Sequence, residues 1–399
     1  MYYICVKNMI DRIISKKLIE YSKQFRAVAL TGPRQCGKTT LCRYIFPHKP
    51  YVNFENIDTL NLAYTDPIGF LYNYKETGCV LDEIQKAPKL FNYLQQILDE
   101  DQERGKYILT GSSNFLLNEN ISQSLAGRIG YINMLPLSVQ EIKSVNPSVT
   151  DIWELIFKGG YPEIWSHNIK PEYYYPAYIQ SVIEKDIRQL VNIRKWSGFQ
   201  QFVKLAATRI GQEWNSNKAG NELGVDAKTI SSWISYLQIS GIVYFLPPLH
   251  NNFGKRVIKK PKLYFIDTGI ASSLLGIQNI DHLETHPLKG ELFENFIIMN
   301  LVKQNTFRLN PVNLYFWRSN DGIEIDLIIE NANKLIPVEI KSGMTFNNYW
   351  WRNIDKWQKF SGNSSKSYII YNGNNEMKVL GNKIIINSLN VDLSQMLKE

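Results

Sequence analysis

Apolar positions recur along this chain with two spacings. Ile10, Ile13, Ile14, Leu18 and Tyr21 fall at helical intervals and predict a helix over residues 9–24. Ala27-Val28-Ala29-Leu30 is then a continuous apolar run of strand length. Comparable runs at 51–54, 79–81, 107–109 and 131–135 predict further buried strands, as in a parallel sheet. Residues 61–74 predict a helix with Pro67 near a turn. Residues 151–195 are helical in pattern, with Asp151 as an N-cap and Tyr173, Tyr174, Tyr175 and Tyr178 as packing residues. Phe202, Leu205, Ala206 and Ile210 share one apolar face. A helix pair over 217–223 and 227–237 follows, capped at Asp226, and then an apolar run at 241–245. From residue 287 the pattern reads helix (290–303), three strands (314–317, 324–329, 335–341), helix (349–360) and strand (368–371). Trp350, Trp351 and Trp357 are expected in the core.

Chemistry collects where these strands end. The run from Ala27 closes in Gly32-Pro33-Arg34-Gln35-Cys36-Gly37-Lys38-Thr39-Thr40, a phosphate-loop pattern between a strand and a helix. Gly32 and Gly37 let backbone N–H groups turn around a phosphate, and the helix behind points its positive end at it. Lys38 can reach the β and γ oxygens of ATP, and the Thr39 hydroxyl can ligate Mg²⁺. The strand at 79 ends in Asp82-Glu83, where Asp82 would hold Mg²⁺ and Glu83 would polarise the attacking water. Together these argue for hydrolysis, not binding alone. The strand at 107 ends in Thr110-Gly111-Ser112-Ser113-Asn114, which offers Ser112, with Asn114 as the alternative, to the γ-phosphate or the water. Arg128 is the candidate arginine finger, with Arg188 as a second.

At 399 residues the chain calls for two to four domains. Its net charge of +8 is compatible with a polyanionic partner. Residues 255–262 hold five basic side chains, Lys255, Arg256, Lys259, Lys260 and Lys262, read as backbone-phosphate contacts. No apolar run is long enough to span a membrane, the N-terminus does not read as a signal peptide, and the cysteines lack metal spacing. A reduced cytoplasmic protein is the expectation. Phe265-Ile266-Asp267-Thr268-Gly269 contains Asp-Thr-Gly without a second copy, so Asp267 or Thr268 is read as a helix cap and not as a protease group.

The phosphate loop, Leu81-Asp82-Glu83-Ile84-Gln85, Leu109-Thr110-Gly111-Ser112, Leu125-Ala126-Gly127-Arg128, Leu135-Pro136-Leu137-Ser138 and Gly159-Gly160-Tyr161-Pro162-Glu163 together resemble a prokaryotic AAA+-like ATPase family. Its C-terminal half is a domain of unknown function with a nuclease-like end. The resemblance implies an α/β multidomain chain binding ATP and Mg²⁺. Its expected parts are an AAA+-like ATPase domain (1–145), a helical lid (146–198), a winged helix-turn-helix (199–268) and a restriction-endonuclease-like α/β domain (269–399). The last resembles the PD-(D/E)XK nucleases. Asp326 and Glu339 lie on neighbouring strands, and Glu339 and Lys341 share a strand face. Asp326, Glu339 and Glu294 would hold Mg²⁺, and Lys341 would stabilise a hydroxide or the phosphorane. Gln358 lies on the following helix as a supporting group. The function expected is an ATP-hydrolysing DNA-binding motor or switch coupled to a nuclease-like domain, in a homo-oligomer that could be a hexamer. The alternatives are a DNA-remodelling ATPase that does not cut, and a nucleotide-gated switch acting on a protein.

Overall fold

The computed structural model describes residues 9–112, 127–184, 196–250, 260–373 and 378–398. Asn114, Arg188, Lys255, Arg256 and Lys259 lie outside them.

The N-terminal sheet has five parallel strands: β1 (Ala27–Gly32), β2 (Tyr51–Asn53), β3 (Cys79–Asp82), β4 (Tyr107–Ser112) and β5 (Ile129–Asn133), in the order β2-β3-β4-β1-β5. Side chains on β1 alternate between two cores. Ala27 and Ala29 join the cluster containing Phe91 and Leu94, and Val28 and Leu30 join the one containing Ile14 and Leu18. A strand buried on both faces is apolar throughout, which is why it reads as an unbroken run. The helix expected over 61–74 is two, Ile57–Thr65 and Pro67–Tyr72. Asp66 ends the first and caps the second through Gly69 N–H, with Pro67 in the first turn, where its missing N–H costs nothing.

Short helices follow at Ile152–Lys158, Pro162–His167 and Pro171–Tyr178. The helix pair is Ser216–Leu223 and Ala227–Ile239, turned by Gly224 at φ 63° and capped by Asp226. It is followed by an antiparallel hairpin, β6 (Val243–Leu246) and β7 (Lys262–Phe265). The C-terminal unit opens with the helix Lys289–Phe307. Its strands are β8 (Asn313–Arg318), β9 (Glu324–Asn331), β10 (Lys334–Lys341), β11 (Ser367–Tyr371), β12 (Lys378–Leu380) and β13 (Lys383–Asn387), and the helix Arg352–Ser361 stands between β10 and β11. The sheet is mixed, in the order β12-β13-β11-β10-β9-β8. One face packs with Trp317, Trp351 and Trp357 in its core. The other belongs to a core shared with the middle helices and the hairpin, including Tyr175, Trp233, Phe265 and Phe293. Tyr174, Tyr175 and Tyr178 are buried and Tyr173 is exposed.

Candidate functional site

The phosphate loop leaves β1 at Gly32. A side chain there would place its first carbon 2.0 Å from the Met134 carbonyl oxygen, so only glycine fits. Gly37, at φ 96°, opens the helix Lys38–Ile45. Gln35 and Glu83 both hold left-handed backbone, at φ 59° and 55°, which places two of the strained non-glycine residues at this site. Lys38 is buried, and its ammonium donates to the carbonyls of Gly32 and Pro33 at 2.9 and 2.8 Å.

Asp82 ends β3, one strand removed from β1. It accepts from Thr39 Oγ1 at 2.9 Å, from Tyr51 OH at 2.5 Å, and from Thr110 Oγ1 on the intervening β4. Thr39 and Asp82 thus present oxygen ligands side by side, the donor set Mg²⁺ takes. Burial first, and then the bond to Asp82, raises the Tyr51 phenol. Beside Lys38 and Thr39 opens a cavity of about 720 Å³, within the range of a small-ligand pocket, lined also by Arg34, Gln35 and Glu83 and, from the opposite wall, Glu163 and Tyr174.

Gln85 Nε2 donates to Glu83 Oε2, and to Ser112 Oγ at 3.4 Å. Ser112 therefore reaches the site through Gln85. Cys36 is buried, with its thiol donating to Met134 O at 3.5 Å and lying 4.0 Å from the Lys38 ammonium. Arg128 stands elsewhere. Its guanidinium grips both oxygens of Asp99, at 2.5 and 2.9 Å. It precedes Ile129, which pairs with Ala27 at the far end of β1. A strand of that length, at roughly 3.3 Å per residue, holds Arg128 away from the phosphates of its own chain.

Two groups at the loop escaped the sequence reading. Arg12 is buried and donates to Cys36 O at 2.7 Å, Leu135 O at 2.6 Å and Glu141 Oε1 at 3.0 Å. Tyr174 OH donates to Gln35 Oε1 at 2.8 Å. Neither lies in a phosphate-loop pattern, and both arrive by tertiary packing.

The second cluster is in the C-terminal sheet. Asp326, Glu339 and Lys341 meet as the strand register requires. Lys341 Nζ lies 2.6 Å from Glu339 Oε1 and 3.8 Å from Asp326 Oδ2, and Ile340 N–H donates to Asp326 at 2.8 Å. Glu339 is 4% exposed, and its Oε2 has no partner among the described residues. Burial, and then the charge of Asp326, raises the Glu339 carboxyl. Burial would lower the Lys341 ammonium, but the charges of Asp326 and Glu339 outweigh it and hold it high. Both partners shift upward because burial rules the acid and attraction rules the base.

Glu294 does not join them as a third ligand. It accepts from Tyr264 OH at 2.6 Å and pairs with Lys262 at 3.2 Å. Among the described residues no group of three acidic, histidine or cysteine side chains is placed to hold a metal. Lys262 is no surface phosphate contact either: it is buried, bonded to Glu294 and Glu324. Gln358 donates to Ser365 O, closing its own helix. Asp267 does cap a helix, through Gly269 N–H at 3.0 Å. No helix among the described residues is long and apolar enough to cross a membrane.

Phosphate loop, acidic strand end and parallel sheet define a P-loop ATPase of the AAA type. Residues 24–143 match the family model described as AAA domain; 149–281 and 289–390 match two models described as domain of unknown function, DUF8612 and DUF4143. An uncharacterised protein of Mycobacterium tuberculosis is 32% identical over 325 residues, covering 80% of this chain and 70% of its own. One of Methanocaldococcus jannaschii is 26% identical over 360 residues, covering 82% and 76%. The chain belongs to this family of AAA+-like ATPases with a C-terminal domain of unknown function. Among solved structures, the Walker-type ATPase of Pyrococcus abyssi is similar at a TM-score of 0.46 and 15% identity, over 67% of this chain and 96% of that one. RuvB of Thermotoga maritima is similar at a TM-score of 0.32 and 17% identity, over 60% and 90%.

Proposed function

We propose that this chain hydrolyses ATP with Mg²⁺ and uses the cycle to act on DNA through its C-terminal domain. In the ATPase step Lys38 and the loop N–H groups hold the phosphates, Thr39 and Asp82 hold Mg²⁺, and Glu83 orients the water. The observation that carries the DNA reading is the convergence of Asp326 on β9 with Glu339 and Lys341 on the neighbouring β10. Two carboxylate oxygens suit a divalent ion, which when bound polarises a phosphodiester, and Lys341 places a positive charge where negative charge develops. The helix pair and hairpin would serve as a winged helix. Lys228, Ser231 and Ser232 are exposed on its second helix and available to the duplex. Oligomer formation belongs to the same reading.

The test is ATPase activity across linear, nicked and branched DNA, with Mg²⁺-dependent cutting scored in the same tubes. DNA should stimulate turnover, and Asp326→Ala should abolish cutting while sparing ATPase. If no DNA binds or alters turnover, the reading fails. Capture of Glu294 by Lys262 and Tyr264 favours one second reading, an ATPase that grips and remodels DNA without cutting it.

A further inference from the structure

The acidic face of the C-terminal sheet holds a second cation beside Lys341. Lys262 comes from β7, outside the sheet, and its side chain is 4% exposed. Its ammonium sits between Glu294 Oε1, at 3.2 Å, and Glu324. The strand cannot slide the ammonium away. Phe265 N–H donates to Asn295 Oδ1 at 2.7 Å and Asn295 Nδ2 donates back to Phe265 O at 2.8 Å, so β7 is clamped to the helix that carries Glu294. Arg318 adds charge from the other side, 3.4 Å from Glu324. The cluster still keeps one unmet acceptor, the buried Glu339 Oε2. A buried carboxylate oxygen without a donor is costly and waits for a cation or a proton.

We propose that Lys262 is the resident cation of the Glu294–Glu324 side of this acidic face, a tethered ammonium standing where these two carboxylates would otherwise help hold a divalent ion. Divalent ions therefore meet only the Asp326–Glu339 pair, bind it weakly, and bind tightly once Lys262 is removed. This rests on the reading of Asp326 and Glu339 as metal ligands. It sets how many ions the site takes, and makes the hairpin's lysine, not a second metal, the neutraliser of Glu294. A buried cation is tolerated there because carboxylates surround it.

The experiment is Mn²⁺ binding to the full-length, nucleotide-free protein, followed by electron paramagnetic resonance. Lys262→Met keeps the stem and removes the charge. We expect at least a tenfold gain in Mn²⁺ affinity, lost again in Lys262→Met/Glu339→Gln. Unchanged affinity, or a gain that survives Glu339→Gln, overturns the proposal. Should Lys262→Met fail to fold, Lys262→Gln decides. It removes the same charge but keeps a polar tip for Glu294 and Glu324, so a rise in affinity supports the proposal and an unchanged or lower affinity refutes it. DNA cutting is scored separately. A gain in Mn²⁺ binding with no cutting by either protein keeps the tethered cation and sinks the cutting reading. Mg²⁺-dependent cutting by the wild type with no gain in Lys262→Met does the reverse.

Discussion

Lys262 and Asp267 stand at the two ends of one short segment and face two different sites. The lysine pairs with Glu294 in the acidic face, while Asp267 accepts from Gly160 N–H at 2.6 Å and Tyr175 OH at 2.7 Å. Gly160 in turn accepts from Leu137 N–H at 2.7 Å, just beyond the strand that flanks β1. Tyr175 neighbours Tyr174, which bonds Gln35 of the phosphate loop. The segment from Lys262 to Asp267, β7 and the two residues after it, is therefore the physical link between the nucleotide cavity and the C-terminal sheet.

That link gives the first prediction. Asp267→Ala strips acceptors from Gly160, Tyr175 and Gly269 in a buried place. Leaving such donors unmet costs about 1–3 kcal/mol each, not fully additive, so a loss of about 3 kcal/mol is expected in denaturant unfolding. Asp267→Asn, which keeps one carbonyl oxygen, should lose about half of that. Equal stability of all three proteins would show that the loop does not depend on Asp267.

Glu83→Gln should bind ATP normally and hydrolyse it slowly. Removing a positioned base costs roughly 10²–10⁴-fold in rate. Lys38→Ala should fail earlier, at binding, because it removes the only ammonium in contact with the loop carbonyls among the described residues. Nucleotide binding by fluorescence and phosphate release, measured together, separate the two. Normal hydrolysis by Glu83→Gln would remove it from the mechanism.

Arg128→Ala should leave turnover within about twofold, since the guanidinium belongs to Asp99 and faces the other end of the sheet. Loss of an arginine finger costs about 10³-fold or more. A loss of that size at unchanged ATP affinity would mean that Arg128 leaves Asp99 and acts on a neighbouring subunit's nucleotide.

How much of this was legible in the sequence follows from how local each feature is. Lys38, Thr39, Asp82 and Glu83 sit at strand ends whose apolar runs announce them, and each keeps its place relative to the others. Asp326, Glu339 and Lys341 were legible because register alone brings neighbouring strands together. Lys262 was misread as a phosphate contact because a basic run looks like a surface for polyanions, and what buries this one residue is a helix far along the chain. The Asp99 partner of Arg128 was not legible, because a motif shows proximity in sequence, whereas the β1–β5 register decides which edge of the sheet the arginine occupies. Thr110 and Tyr51 fill Asp82 from strands that only the sheet order places beside it.

The Glu339 carboxyl supplies a prediction in pH. Burial and the Asp326 charge raise it to about 8, against an ordinary value of 4.5, with Lys341 pulling the other way. An acid raised by folding holds its proton more tightly in the folded state. Its contribution to stability is present below about pH 4.5 and is lost as pH rises through about 8. Melting temperature should fall more between about pH 5 and about pH 8.5 in the wild type than in Glu339→Gln, which cannot ionise. A wild-type profile no steeper than the variant's would show that Glu339 ionises freely.

Arg12 supports the phosphate loop from below and should prove as important to stability as to binding. It is buried with Glu141, and breaking a buried pair by removing one partner costs about 3–5 kcal/mol. Arg12→Ala should lose about that much, and should weaken ATP binding because Cys36 O and Leu135 O lose their donor. Arg12→Lys keeps the charge but cannot meet three acceptors on diverging lines, so it should fall between. The discriminating measurement is the ATP dissociation constant taken well below each variant's unfolding midpoint. If Arg12→Ala is destabilised yet binds ATP as tightly as the wild type, the contact with Cys36 only holds the fold together and does not shape the loop.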